Sequence, residues 1–237
     1  MMKKKEAAYT DYVPRDVSWM YFNRRILQEA MKPTVPLLER LGFLGIYSNN
    51  LDEFFRVRVA LLNRIAACDD KETRDDRHEA LSTLKVINRL NAHYSKEYET
   101  AIHQVEEELR KENICIVNEE ELNDEQHAFV RDFYYKQFDG FIAPVWFSAL
   151  KDLTERPDDC IYMAVKMRRE SDKSHPEYAL LQLPISLVGR FVRLPDKDGK
   201  SYIMYTDDVV RCSLPLIFAG LNYTPVSYTH LTLPTNR

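Results

Sequence analysis

The chain has 237 residues, enough for one large or two small domains, and its 45% hydrophobic content is ordinary for a protein with a buried core. Its 37 acidic and 33 basic residues give a net charge of only −4, which argues against a general nucleic-acid-binding protein. The six glycines form neither a Gly-x-Gly-x-x-Gly nor a Walker-type motif, so the familiar glycine-rich phosphate loops are excluded.

The cysteines and the N-terminal segment indicate where such a chain would reside. The four cysteines lie far apart and form no Cys-x-x-Cys motif, which favours free thiols over a zinc site. The basic residues of the start are followed by polar ones rather than by the apolar run of a signal peptide. No run of apolar residues is long enough to span a bilayer, so we expect a cytoplasmic protein without a membrane span.

The first part of the chain predicts helices. Residues 1–13 are polar and predict a flexible tail. A helix capped by Asp16 or Ser18 is expected through Ala30, with Trp19 and Phe22 as core anchors. Its further apolar residues at helical spacing are Met20, Ile26 and Leu27. Two prolines then break the pattern, and a second helix is predicted from residues 34–36 to about residue 46.

The stretch Ile-Tyr-Ser-Asn-Asn-Leu-Asp-Glu-Phe-Phe, residues 46–55, places polar residues between residues fit for a core. One interpretation is a helix start, in which Asn50 is the N-cap and Glu53 completes a capping box. The other is that an amide of Asn49 or Asn50 faces a ligand. Both can hold at once.

The third predicted helix begins at this stretch and is followed by a charged loop over residues 68–77. A long helix is expected over residues 79–111, with an apolar stripe whose near-heptad spacing is typical of a helical hairpin or a partner helix. Residues 14–112 are therefore predicted to form an all-α domain.

Residues 113–225 have a different pattern, that of an α+β domain. A short strand over residues 114–117 precedes a capping box at Asn123, which begins a helix to about Phe138. Strands are predicted over residues 161–167, 178–183, 191–194 and 202–205, with turns at residues 173–176 and 195–200. A last helix is expected over residues 207–218. The fold class is thus mainly α, with an all-α domain followed by a truncated α+β head domain.

The last residues, 226–237, are expected to be foreign to the protein. Residues 226–235 back-translate, with permitted codons, to the transposon adapter used to build sequencing libraries. We therefore interpret this tail as read-through and exclude it from fold reasoning, as for any fusion scar. The natural sequence is then expected to be interrupted near Pro225.

The first domain resembles a known enzyme family over more than forty residues without a gap. Residues 15–30, RDVSWMYFNRRILQEA, and residues 36–58, PLLERLGFLGIYSNNLDEFFRVR, resemble the opening of polyphosphate kinases of the phosphohistidine-forming type. Residues 178–184, YALLQLP, and 190–195, RFVRLP, resemble the head domain of that family more loosely. The chain is thus identified as an N-terminal part of such a kinase.

The resemblance implies an activity, its substrates and one binding residue. Such enzymes reversibly move the terminal phosphate of ATP onto inorganic polyphosphate through a phosphohistidine in later domains, which also bind Mg²⁺. The position that matches the family's nucleotide-binding asparagine is Asn50, and the head domain of the family takes part in dimer contacts, so a homo-oligomer is expected. The catalytic histidine has no match here, because His78, His93, His103, His127 and His175 fit no family motif and His230 lies in the tail. This part alone is therefore expected to be inactive.

Two questions stay open at the level of sequence. Arg56 and Arg58 follow the asparagine motif and could contact phosphate, although arginines on an amphipathic helix are more often ion-pair partners. Composition and periodicity taken alone would equally fit a stand-alone helical interaction or dimerisation module, because a fold does not dictate a function.

Overall fold

The structure, a computed structural model, describes residues 13–68, 74–150, 160–169 and 171–231. The chain divides into two units, Met1–Glu108 and Leu109–Arg237. In the described residues the first unit is helical and the second combines helices with two sheets, as the sequence predicts. No helix within the described ranges is both long and apolar enough to cross a membrane.

Helix α1, Arg15–Ala30, begins one residue after Pro14 and ends where it was predicted to end. Its buried face agrees only in part with the prediction, since Met20 and Leu27 are buried as expected. Phe22 is 57% exposed and Trp19 is half-buried, so the expectation of two core anchors is wrong for Phe22. The core-facing side chains of this helix are Val17, Met20, Asn23, Leu27 and Ala30. The buried stripe therefore includes one polar residue, Asn23.

Helix α2, Leu37–Phe54, is longer than predicted and passes through both asparagines. Asn50 lies inside this helix, so the predicted capping box between Asn50 and Glu53 is wrong. The reason is that residues 46–50 contain neither glycine nor proline, so nothing in the sequence ends the helix there. Tyr47 before Asn50 and Phe54 after it are both buried in the core, and both keep this part of the chain helical. A π-helical turn, Phe55–Val59, then leads directly into α3, Ala60–Ala67.

Helix α4, Arg74–Lys111, contains 38 residues and begins five residues before its predicted start. The apolar stripe predicted from its helical spacing is largely turned toward the core, although Leu81, which belongs to that stripe, is 49% exposed. Buried residues at helical spacing are Ala80, Thr83, Leu84, Ile87, Tyr94, Ala101, Val105 and Leu109. The predicted loop over residues 68–77 lies partly outside the described residues, and residues 74–77 of it are helical.

The second unit starts with β1, Ile114–Val117, and α5, Asp124–Phe133, followed by a π-helical turn, Tyr134–Phe138. The predicted capping box is confirmed, because the Asn123 side chain accepts from the Gln126 amide and the Gln126 side chain accepts from the Asn123 amide, both at 3.1 Å. The remaining strands are β2, Val145–Trp146, β3, Tyr162–Arg169, β4, Asp172–Gln182, β5, Phe191–Lys197, β6, Lys200–Tyr205 and β7, Tyr223–Leu231.

These strands form two sheets. In the three-stranded sheet, β6 lies between β1, to which it is parallel, and β5, to which it is antiparallel. The four-stranded sheet has the order β2-β4-β3-β7 and is antiparallel throughout. Side chains from both sheets and from α5 fill one core. Its fully buried members include Phe138, Met163, Val165, Met167, Leu181 and Met204.

One local prediction in this unit is wrong and another is only partly right. Residues 173–176 lie within β4 rather than in a turn, because the pairing of β3 with β4 continues to Asp172. The register shift after Arg168, which faces Pro176, places residues 173–175 in a bulge directly before the proline. The last predicted helix is interrupted at Ser213 into α7, Thr206–Cys212, and α8, Leu214–Ile217. Between β4 and β5 lies a short helix, α6, Ile185–Val188.

The tail that the sequence marks as foreign is partly described. Residues 226–231 belong to β7, which pairs with β3 along its whole length, and residues 232–237 lie outside the described residues. The adapter interpretation stays a prediction. All four cysteines lie in the described part of the chain, and they are thiols rather than disulfides, as predicted.

Candidate nucleotide-binding asparagine

Asn50 lies on α2 where this helix packs against α1, within the first unit. Its Nδ2 donates a hydrogen bond to Oδ1 of Asn23 on α1, at 3.3 Å. Asn23 is only 1% exposed, and its own Nδ2 donates to the backbone carbonyl of Tyr47 at 3.1 Å. Asn50 itself is partly exposed, whereas its neighbour Asn49 is exposed. The structure thus places one of the two asparagines in a polar contact between helices and leaves the other in solvent.

The sequence interpretation missed Asn23. The signal that could have found it is its position on the apolar stripe of α1, three residues after Met20 and four before Leu27. An amide buried on such a stripe needs polar partners, because a buried polar group without hydrogen bonds is costly.

Ion pairs hold the helices around Asn50 in place. Arg24 on α1 donates from Nε and Nη2 to the Glu97 carboxylate on α4, at 2.9 and 2.7 Å. These hydrogen bonds hold the pKa of Glu97 below its usual value, so the carboxylate stays charged. The Arg24 guanidinium also lies over the Tyr94 ring, 5.1 Å from its centroid. The contact between α1 and α4 is therefore stabilised by a bidentate ion pair as well as by apolar packing.

The two arginines after the asparagine motif are both ion-paired. Arg58 donates from Nε and Nη2 to the Asp16 carboxylate on α1, at 2.9 and 3.1 Å. Arg56 pairs with Asp52 one turn earlier on the same helical segment, at 3.0 Å, and both side chains are largely exposed. The structure confirms the ion-pair interpretation for both arginines.

Tyr47, one turn before Asn50, is buried and carries an unused polar group. Among the described residues its hydroxyl has no hydrogen-bond partner. Its ring stacks on that of Tyr98 with centroids 5.3 Å apart, and burial, with a smaller contribution from Glu97, raises the pKa of Tyr47 to about 12. Tyr47 also borders a cleft of about 300 Å³ between α2 and α4, whose other lining residues are Ser48, Leu51, Ser95, Tyr98, Glu99 and Ile102. Asn50 does not line this cleft.

The aromatic residues near the asparagine pair serve packing. Trp19 stacks on Phe54 with parallel rings whose centroids are 4.0 Å apart, and Phe55 meets Phe54 edge to face at 6.1 Å. The π-helical turn at Phe55–Val59 follows directly. Such turns inside α-helices are frequent at functional sites, which supports a functional role for the C-terminal end of α2.

The described residues contain no group of three or more His, Cys, Asp or Glu side chains close enough to hold a metal ion. Two of the histidines lie near carboxylates on their own helix, His93 at 3.4 Å from Glu97 and His103 at 3.4 Å from Glu106. Both side chains are mostly exposed.

Both parts of the chain match domains of one known enzyme family. Residues 12–117 match the polyphosphate kinase N-terminal domain, and residues 125–232 match the polyphosphate kinase middle domain. The fold is similar to the crystal structure of polyphosphate kinase from Porphyromonas gingivalis, with a TM-score of 0.82 and 25% identity over 96% of this chain and 33% of that one.

Curated relatives agree with both domain matches. The chain is 34% identical over 214 residues to the polyphosphate kinase of Vibrio parahaemolyticus and 33% identical over 212 residues to that of Escherichia coli strain K12. In each case 88% of this chain and 30% of the relative are covered. The chain belongs to the polyphosphate kinase family, and it spans about a third of the length of the curated relatives it matches.

Proposed function

We propose that this chain is the N-terminal part of an ATP:polyphosphate phosphotransferase and that it contributes a nucleotide contact through Asn50. The reaction moves the terminal phosphate of ATP reversibly to inorganic polyphosphate, in the cytoplasm. The phosphohistidine and the Mg²⁺ site lie in the part of the relatives that this chain does not span. The observation that carries the proposal is the placement of Asn50, partly exposed and oriented by a buried partner on a second helix.

The chemistry of the site suits a nucleotide better than it suits a free phosphate. An amide offers a donor and an acceptor and adds no charge next to a triphosphate. The nearby arginines Arg56 and Arg58 are already paired with carboxylates, so neither is a free cation for phosphate. The same pairing neutralises Asp16 and Asp52, which would otherwise repel an approaching polyanion.

We propose that the other contacts with ATP and polyphosphate come from the family's other domains and from a second subunit. We propose that the α+β unit takes part in association of subunits into a homo-oligomer. Phosphoryl transfer needs a nucleophile, cations and aligned donors around the moving phosphate, and the described residues contain no group of three or more His, Cys, Asp or Glu side chains that could bind a metal cation. A purified protein of this sequence is therefore expected to form no polyphosphate from ATP and Mg²⁺. Polyphosphate formation above the level of an ATP-free control would contradict this part of the proposal.

Isothermal titration calorimetry with ATP tests the nucleotide contact. Replacing Asn50 with alanine should weaken ATP binding about 2–12-fold, the equivalent of one neutral hydrogen bond. The matched control is Asn49→Ala, which removes an exposed amide from the adjacent position on the same helix and should leave affinity unchanged. The nucleotide contact is refuted if Asn50→Ala binds ATP as tightly as the unmodified protein.

A further inference from the structure

The buried Asn23 amide has only one orientation that satisfies its hydrogen bonds. Its Nδ2 faces the Tyr47 carbonyl, which can only accept, so its Oδ1 must face the other way, toward Asn50. Reversing the amide would bring two oxygens together at Tyr47. Because Asn23 is only 1% exposed, no water molecule could hydrogen-bond to these two oxygens without a cost in free energy.

This orientation passes to the next amide. Because Asn23 presents an oxygen, Asn50 must turn its Nδ2 inward, and the two atoms lie 3.3 Å apart. The Asn50 oxygen is then the end that is not used between the helices. None of the described residues donates a hydrogen bond to it. The Tyr47 carbonyl therefore fixes the orientation of the Asn23 amide, and Asn23 in turn fixes the orientation of the Asn50 amide.

We propose that Asn23 is a positioning residue that makes Asn50 present its carbonyl oxygen to a hydrogen-bond donor of the nucleoside. The inference rests on the proposed nucleotide contact and deepens it. The oxygen can accept from the 6-amino group of adenine or from a ribose hydroxyl, but not from a phosphate oxygen, which is itself an acceptor. Asn50 thereby favours ATP over nucleotides that lack the donor, and it does so only while Asn23 holds it.

The test compares the affinities of ATP, ITP, 2′-deoxy-ATP and 3′-deoxy-ATP by calorimetry on this chain. ITP replaces the 6-amino donor by an oxo acceptor, and each deoxynucleotide removes one hydroxyl donor. We expect one of the three analogues to bind about 2–12-fold more weakly than ATP, the range of a single neutral hydrogen bond. The identity of that analogue tells whether the donor belongs to the base or to the ribose.

The variant Asn23→Ala should bring the affinity ratio of ATP to that analogue close to one, because the Asn50 amide is then free to turn. A purely structural role for Asn23 would weaken all four nucleotides equally and leave the ratio unchanged, which would overturn the inference. The control Asn49→Ala should keep the ratio of the unmodified protein. Three analogues that bind as tightly as ATP, while Asn50→Ala still weakens ATP, would overturn the inference and leave the nucleotide contact intact. Equal ATP binding by Asn50→Ala would overturn both.

Should Asn23→Ala fail to fold, as judged by circular dichroism, the unmodified protein provides the answer. Side-chain amide protons of Asn23 and Asn50 that exchange with solvent more slowly than those of Asn49 support the orientation. Exchange of the Asn50 amide protons as fast as those of Asn49 would overturn it.

Discussion

Arg40 offers the sharpest test of how the helices of the first unit are held together. Its side chain is 2% exposed, with Nε donating to the Ala30 carbonyl at the end of α1 at 2.7 Å and Nη1 donating to Glu108 on α4 at 2.6 Å. One guanidinium thus joins three helices. The change Arg40→Met keeps most of the side-chain volume but removes both donors.

The expected loss of unfolding free energy for Arg40→Met is about 1–4 kcal/mol. Leaving the buried Ala30 carbonyl without its donor costs about 1–3 kcal/mol. The ion pair adds only about 0.2–1 kcal/mol, because Glu108 is 41% exposed and regains water when the arginine is gone. By the same reasoning Glu108→Gln should cost about 1 kcal/mol or less, since the contact of Arg40 with Ala30 remains.

Urea unfolding followed by tryptophan fluorescence measures this difference. The chain has two tryptophans, Trp19 in the first unit and Trp146 in the second, so a Trp146→Phe background restricts the signal to the first unit. The midpoint should fall in Arg40→Met with little change in the slope of free energy against urea. A loss below about 0.5 kcal/mol in Arg40→Met, or an equal loss in Glu108→Gln, would refute the reasoning.

Three further predictions concern other contacts. Asn123→Ala removes the capping box of α5 and should cost about 1 kcal/mol in urea unfolding, and an unchanged midpoint would count against the cap. Burial raises the pKa of Asp208 to about 6 from 3.8, so the folded state binds the extra proton. Stability should therefore fall by about 2 kcal/mol as pH rises from 4 to 7, and Asp208→Asn should flatten that part of the profile, whereas an unaltered profile would exclude Asp208 as the cause. Arg58→Ala loses a bidentate ion pair with the mostly buried Asp16 and should lower the unfolding free energy by about 1 kcal/mol, with a larger loss at low salt. Arg56→Ala removes an exposed ion pair and should leave the unfolding free energy nearly unchanged. Equal losses in the two variants would contradict this ranking.

The sequence predicted features that depend on neighbours along the chain. The end of α1 and the cap at Asn123 are set by local spacing and by side chains three residues apart, and both are confirmed. The resemblance also led to the family, because an unbroken run of more than forty residues carries more information than any single motif.

Features that depend on distant partners were out of reach. Asn50 resembles a helix cap in the sequence, but its partner Asn23 lies 27 residues away, and the helix continues through it. The turn predicted at residues 173–176 is absorbed into β4 because β3 pairs beyond it. The parallel pairing of β1 with β6 joins segments that are more than eighty residues apart, such as Ile114 and Ser201. Local propensity cannot specify such contacts.

We propose that Asn50, and not its neighbour Asn49, contacts the nucleotide. The most direct measurement is a nuclear magnetic resonance titration of the ¹⁵N-labelled chain with ATP, following the side-chain amide signals of Asn49 and Asn50. We expect a saturable shift of the Asn50 signal, with the exposed Asn49 signal unmoved. An unmoved Asn50 signal at saturating ATP, or equal shifts of both signals, would contradict it.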